Sequence, residues 1–227
     1  MAEATREDAA EKVAVSLTGK PPVVVTSFEE YLERYAHDYY ELVEGTLVKM
    51  SPVTLKHAAL TSFLHLLLSV YFEFNAIGRV IPAPFVMRLT AIDAYREPDL
   101  LVILKNNSGN LTETYMDGPA DICIEVVSPE SVARDHGKKF EEYEKGKVPE
   151  YWIVDPIHRE CRFYRLDDSG HYVRHTEDEH GIYRTPALPN LALHVPTLWQ
   201  DDLPGPLAVI EAVRKMMPSE SRTEQEI

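Results

Sequence analysis

The chain has 227 residues, 44% of them hydrophobic, and a formal net charge of −14 at pH 7, which suits one large domain or two small ones and argues against the broad basic surface that grips duplex nucleic acid. No uninterrupted apolar run reaches membrane-span length, so no membrane association is expected, and the opening MAEATREDAAEK lacks the apolar region of a signal peptide. Cys123 and Cys161 both lie in strand-like segments; they read as buried thiols of a reducing compartment, and the expected address is cytoplasmic.

Residues 1–22 are polar and end in Gly19-Lys20-Pro21-Pro22, the pattern of a mobile leader. A single domain is expected over 23–200, with 201–227 as a tail that is partly helical or disordered. Ser27 with Glu30 three positions on forms a capping box for a helix through Tyr35. Tyr39–Val43 and Thr46–Met50, joined by Glu44-Gly45, read as a β-hairpin stopped by Pro52. From Thr54 to Asn75 the spacing predicts a long helix with Leu55, Ala58, Ala59, Ser62, Phe63, Leu66, Leu67, Val70 and Phe74 as its apolar stripe.

Short strands follow at Arg79–Ile81 and Phe85–Leu89, then a strand opening at Asp99, a polar loop from Asn106 to Gly118, and a strand around Glu125. Ser131–Lys145 predicts a second helix, Glu150–Asp155 a strand, and Cys161–Leu166 with Tyr172–His175 an antiparallel pair. The sum is an α/β domain, a mixed central sheet flanked by helices.

Two carboxylates stand out. Asp99 sits at the mouth of the apolar run Leu100–Ile103, and Glu125 lies inside Ile122–Val127. A charged group in a strand interior is costly to desolvate unless it is paired, hydrogen-bonded or metal-bound. Glu125 shares a face with Cys123 and Val127, and neighbouring strands would bring Asp99 to it. Such a pair suits Mg²⁺ or Mn²⁺, which take hard oxygen ligands and keep several waters. The plainer alternative makes Asp99 a turn residue and Glu125 a core acid paired to an arginine.

On the second helix Asp135, Lys139 and Tyr143 recur at i, i+4 and i+8, one stripe beginning near the end of the Glu125 strand. Lys139 could orient a water or stabilise phosphoryl charge there, or form only a solvated pair with Asp135. Glu41 and Glu44 fall on opposite sides of the hairpin strand, so strand geometry lets at most one join the site. His57 and His65 lack the partner spacing of a zinc motif, and no P-loop, G-x-S-x-G or G-x-G-x-x-G occurs. The densest basic cluster is Arg134, Lys138, Lys139, Lys145 and Lys147.

Together "YELVEG" at 40–45, "APF" at 83–85, "REPDLLVI" at 96–103, "IEVVSPES" at 124–131 and "RDHGKKFEEYEKGKVPEYWIVDP" at 134–156 resemble the PD-(D/E)XK restriction endonuclease-like superfamily, and within it the Uma-two branch. The resemblance implies an α/β/α core with Asp99 and Glu125 as magnesium ligands and a further acid at Glu41 or Glu44. The superfamily lysine two residues after the second acid is replaced here by Val127; the resemblance implies that Lys139, on the following helix, supplies it.

The leading expectation is therefore a Mg²⁺-dependent endonuclease that hydrolyses phosphodiester bonds of DNA, with Glu41, Asp99, Glu125 and Lys139 as its working residues. Fold-level analogy adds a homodimer. Two other readings remain: a non-catalytic nuclease-fold module that binds nucleic acid or a partner protein, which the net charge favours, and a metal-dependent hydrolase of a small phosphorylated molecule.

Overall fold

The computed structural model describes residues 27–36, 40–43, 46–49, 53–128, 131 and 134–218. In chain order its elements are α1 (Phe28–Arg34), β1 (Tyr40–Val43), β2 (Thr46–Lys49), α2 (Leu55–Phe74), β3 (Gly78–Pro82), β4 (Val86–Leu89), β5 (Ala94–Arg96), β6 (Leu100–Leu104), β7 (Asn110–Leu111), β8 (Tyr115–Asp117) and β9 (Ile122–Val126). A π-helical turn (Arg134–Lys138) leads into α3 (Lys139–Lys145), followed by β10 (Glu150–Asp155), β11 (Glu160–Leu166), β12 (Tyr172–His175), β13 (Ile182–Tyr183), β14 (Leu193–His194), a 3₁₀ turn (Val195–Trp199) and α4 (Pro206–Met216).

The central sheet runs β12-β11-β10-β9-β6-β3. Its one parallel neighbour pair is β9–β10, joined through α3, the crossover that parallel strands require. All other pairs in this sheet are antiparallel. Period-two alternation sends Leu100, Val102, Ile124 and Val126 to the face covered by α2 and α4, while Leu101, Ile103, Cys123 and Val127 face Tyr143 of α3 and Met87 and Met116 of a smaller sheet, β5-β4-β8-β7. Both faces are buried, so β6 and β9 read as almost continuous apolar runs. This is the expected mixed sheet between helical layers.

Ser27 caps α1 as its spacing predicts, its Oγ accepting the Glu30 N–H at 3.1 Å. The hairpin strands β1 and β2 pair as expected, Glu41 opposite Val48; their turn, Glu44 included, lies outside the described residues, as do the leader and the last nine residues.

Three expectations are corrected. Of the expected α2 stripe Phe63 and Leu67 are buried, but the rest of the buried side is His57, Leu60, Leu64, Leu68, Tyr71 and Phe72, and Leu55 is 87% exposed. The helix is apolar on most sides, so periodicity alone could not phase it. By length and hydropathy it even matches a membrane span, although the sheet covers its inner face. The loop from Asn106 to Gly118 contains β7 and β8, and β8 runs parallel to β4; strands this short leave no periodic signal. Finally, the described part of the Ser131–Lys145 helix opens as a π-helical turn, a local widening frequent at functional sites.

Beyond Pro204 the chain forms α4, whose Val209 and Val213 pack into the core beside α2. The preceding segment is pinned by Glu150, a buried carboxylate that accepts from Trp152 Nε1 (2.8 Å), from Thr185 Oγ1 (2.5 Å) and from the Tyr183 hydroxyl. Removing it strands three buried donors. Glu150→Ala should therefore cost about 3 kcal/mol of unfolding free energy in urea denaturation, and Glu150→Gln distinctly less, since an amide oxygen still accepts.

Candidate active site

Glu125 lies in the middle of the sheet, between β6 and β10, on the face covered by α3. Its Oε1 accepts two hydrogen bonds, from Lys139 Nζ at 2.7 Å and from the Tyr143 hydroxyl at 2.8 Å. Lys139 is only 2% exposed and also stands 3.6 Å from Asp135 Oδ1 and 3.8 Å from Glu41 Oε1. The stripe Asp135, Lys139, Tyr143 thus converges on the strand, and the solvated Lys139–Asp135 pair is excluded by burial. Desolvation raises the Glu125 carboxyl above its usual range; Lys139 opposes this, and Asp135 and Asp99 reinforce it. Burial also lifts the Tyr143 phenol well above its ordinary value, so it acts as a hydrogen-bond donor.

Asp99 directly precedes β6, the strand next to Glu125. Leu100 pairs with Ile124, so one further step in the antiparallel register sets Asp99 opposite Glu125. Its Oδ2 takes the Val126 N–H at 2.7 Å and meets His57 Nε2 at 3.1 Å. Thr54 caps α2 through the His57 amide at 3.2 Å, fixing where that side chain leaves the helix.

A second buried cation flanks the cluster. Arg96 bonds Glu142 on α3 through Nε at 2.6 Å and lies 3.9 Å from Glu41 Oε1. Burial alone would lower the Arg96 pKa; the Glu41 and Glu142 carboxylates outweigh it and raise it. Glu97, which receives a hydrogen bond from the Tyr31 hydroxyl, has its carboxyl pushed up to about 7 by burial, with Tyr31 opposing and Glu41 adding to the shift.

The structure therefore brings Glu41, Glu125, Asp135, Lys139 and Tyr143 into one buried cluster with Asp99 at its edge. Glu41, the hairpin acid that faces inward, meets Lys139 and Arg96. Glu44 lies outside the described residues. Of the basic cluster, Lys139 is buried, Lys145 pairs with Glu141 on the surface, and Lys147 donates to Gly170 O. Sequence reasoning did not assign His57, Arg96, Glu97 or Glu142. No local signal could have found His57: packing sets the phase of α2 that carries it inward with Leu60 and Leu64.

The donor set can be weighed against a divalent cation. Among the described residues no group of three His, Cys, Asp or Glu side chains is arranged to hold a metal ion. Two carboxylates fit better. Among the described residues every hydrogen bond to the Asp99 carboxylate falls on Oδ2 and every one to the Glu125 carboxylate on Oε1, so Oδ1 and Oε2 remain uncommitted there. Mg²⁺ is commonly held by one or two carboxylates, with water and substrate phosphate completing its shell.

A family model described as "Uma2: Putative restriction endonuclease" matches residues 28–196. The crystal structure of a protein from Anabaena variabilis described as a putative nuclease superposes with a TM-score of 0.62 at 18% identity, covering 75% of this chain and 96% of that one. At that identity the likeness speaks to fold, and it matches the mixed sheet flanked by helices. No curated protein matches the chain.

The buried cluster makes a thermodynamic prediction. Lys139→Met leaves Glu125 without its ammonium and should cost about 3 kcal/mol in urea unfolding under chelator. Adding Glu125→Gln should recover part of the loss, giving a double-mutant coupling of about 1–3 kcal/mol. Strict additivity would mean that the two groups do not interact.

Proposed function

Since the chain belongs to the Uma2 family, a family of restriction endonuclease-like proteins, we propose that it is a Mg²⁺- or Mn²⁺-dependent nuclease hydrolysing phosphodiester bonds of DNA. The observation that carries this reading is the register that sets Asp99, just before β6, opposite Glu125 of β9, each carboxylate with one oxygen held by the protein and one uncommitted, beside the buried ammonium of Lys139.

In this reading Asp99 and Glu125 hold the cation. Bound there, it would supply the positive charge that polarises a phosphoryl oxygen and eases deprotonation of an attacking water. Tyr143 and Lys139 fix Glu125 through Oε1. The Lys139 ammonium, a donor with three protons, orients water or stabilises negative charge on the phosphoryl group. Glu41 and Asp135 hold that ammonium in place from two other sides, and Arg96 ties Glu41 to Glu142 on α3. Phosphoryl transfer relies mainly on positioning and charge, which is what these residues supply.

The net charge of −14 favours a second reading, a non-catalytic nuclease-fold module that binds nucleic acid or a partner protein. Two measurements separate them. Calorimetric titration with Mn²⁺ should give binding heat for the native chain and none for Asp99→Ala; equal heats would remove the cation site. Incubation with single-stranded, duplex and branched DNA plus Mn²⁺ should give cleavage that Glu125→Ala abolishes and Lys139→Ala slows by about 10²–10³-fold. Metal binding with no cleavage of any of the three substrates would favour the second reading.

A further inference from the structure

His57 stands apart from the acid and ammonium cluster, yet its placement is costly. It lies in the first turn of α2, 6% exposed, on a face otherwise filled by Leu60, Leu64, Leu68 and Tyr71. Its Nδ1 is buried and has no hydrogen-bond partner among the described residues. A position that needed volume alone would be filled by leucine with no desolvation cost. The single directed contact of the ring is Nε2 to Asp99 Oδ2 at 3.1 Å.

A carboxylate offers only acceptors, so Nε2 is the protonated nitrogen and donates. Asp99 Oδ2 then receives two donors, the imidazole and the Val126 N–H. Two donors from different elements, α2 and β9, stop the carboxylate from rotating about its terminal torsion. Groups that hydrogen-bond a metal-ligating carboxylate in this way set its orientation and contribute to metal affinity.

We infer that His57 is a positioning residue for the cation site: it locks Asp99 so that Oδ1 is presented to a divalent cation. This rests on the two-carboxylate reading above, and the test distinguishes the failure of each.

The test uses the full chain, Mn²⁺ calorimetry and thermal melting. Gln places an amide donor near the position of His Nε2, Asn is too short to reach it, and Leu fills the space without a donor. His57→Gln should bind Mn²⁺ close to native strength, while His57→Asn and His57→Leu bind about 10- to 100-fold more weakly. A merely structural role would lower the melting temperature and leave Mn²⁺ affinity unchanged. If the leucine variant does not fold, the Gln–Asn comparison carries the test, because the two share their chemistry and differ in reach. Native-strength binding by His57→Asn overturns this inference alone. Absence of Mn²⁺ binding by the native chain overturns the cation site and this inference with it.

Discussion

The contact between Lys139 Nζ and Glu125 Oε1, 2.7 Å long with both side chains 5% exposed or less, governs how the rest of the site is assembled. Withdrawing two opposite charges from water costs several kcal/mol each, and their attraction offsets this only when the remaining donors and acceptors are also engaged. Here Tyr143 adds a second donor to the same oxygen, and Asp135 and Glu41 approach the ammonium from other sides. These demands constrain the fold. α3 must lie over β9 in one rotational setting, since turning it by a residue would move Lys139 and Tyr143 off Glu125 together. Tyr151 of β10 adds a further tie, donating to Asp135 O at 3.1 Å. The hairpin must also close against the same point to deliver Glu41.

Under the nuclease reading, Lys139 would serve where the resemblance implies a lysine at the position of Val127. Val127 is 1% exposed and packs with Tyr143 and Tyr151 under α3. A lysine there would start from the same strand face as Glu125. Lys139 reaches that carboxylate from above, leaving the strand position to packing. The cluster nevertheless keeps an excess of acid: Glu41, Glu97, Glu125, Asp135 and Glu142 crowd around Lys139 and Arg96. Burial raises the Glu97 and Glu125 carboxyls, and the neighbouring acids add to the shift.

What could be read from the chain follows the range of each interaction. Glu125 was legible because a charge among β-branched neighbours is locally anomalous, and the register with Asp99 followed once two apolar runs were read as neighbouring strands. Lys139 and Tyr143 were legible from helical spacing, which survived although the described start of that helix is a π turn. Arg96 and Glu142 were not, because their pairing spans 46 residues and either alone resembles a surface charge. His57 was lost with the phase of α2: an almost uniformly apolar helix has no preferred face until a sheet selects one. The inward placement of Glu41 required the hairpin's packing, which no local pattern contains.

The acidity of the chain and a polyanionic substrate can be reconciled by distance. At physiological salt the screening length is about 8 Å, so exposed acids farther away weakly oppose a phosphate at the site. What counts is the local balance, and there Lys139 and Arg96 are already engaged by Glu125, Glu41 and Glu142. Neither buried cation is therefore available at full strength to an incoming phosphodiester. A divalent cation held by Asp99 and Glu125 changes that balance by two charges at once. Binding of cation and substrate would then be mutually reinforcing, with each raising the other's affinity by the same factor. Under the nuclease reading, the acidic surface makes substrate binding conditional on the cation, and the orientation of Asp99 becomes the point at which the protein controls both.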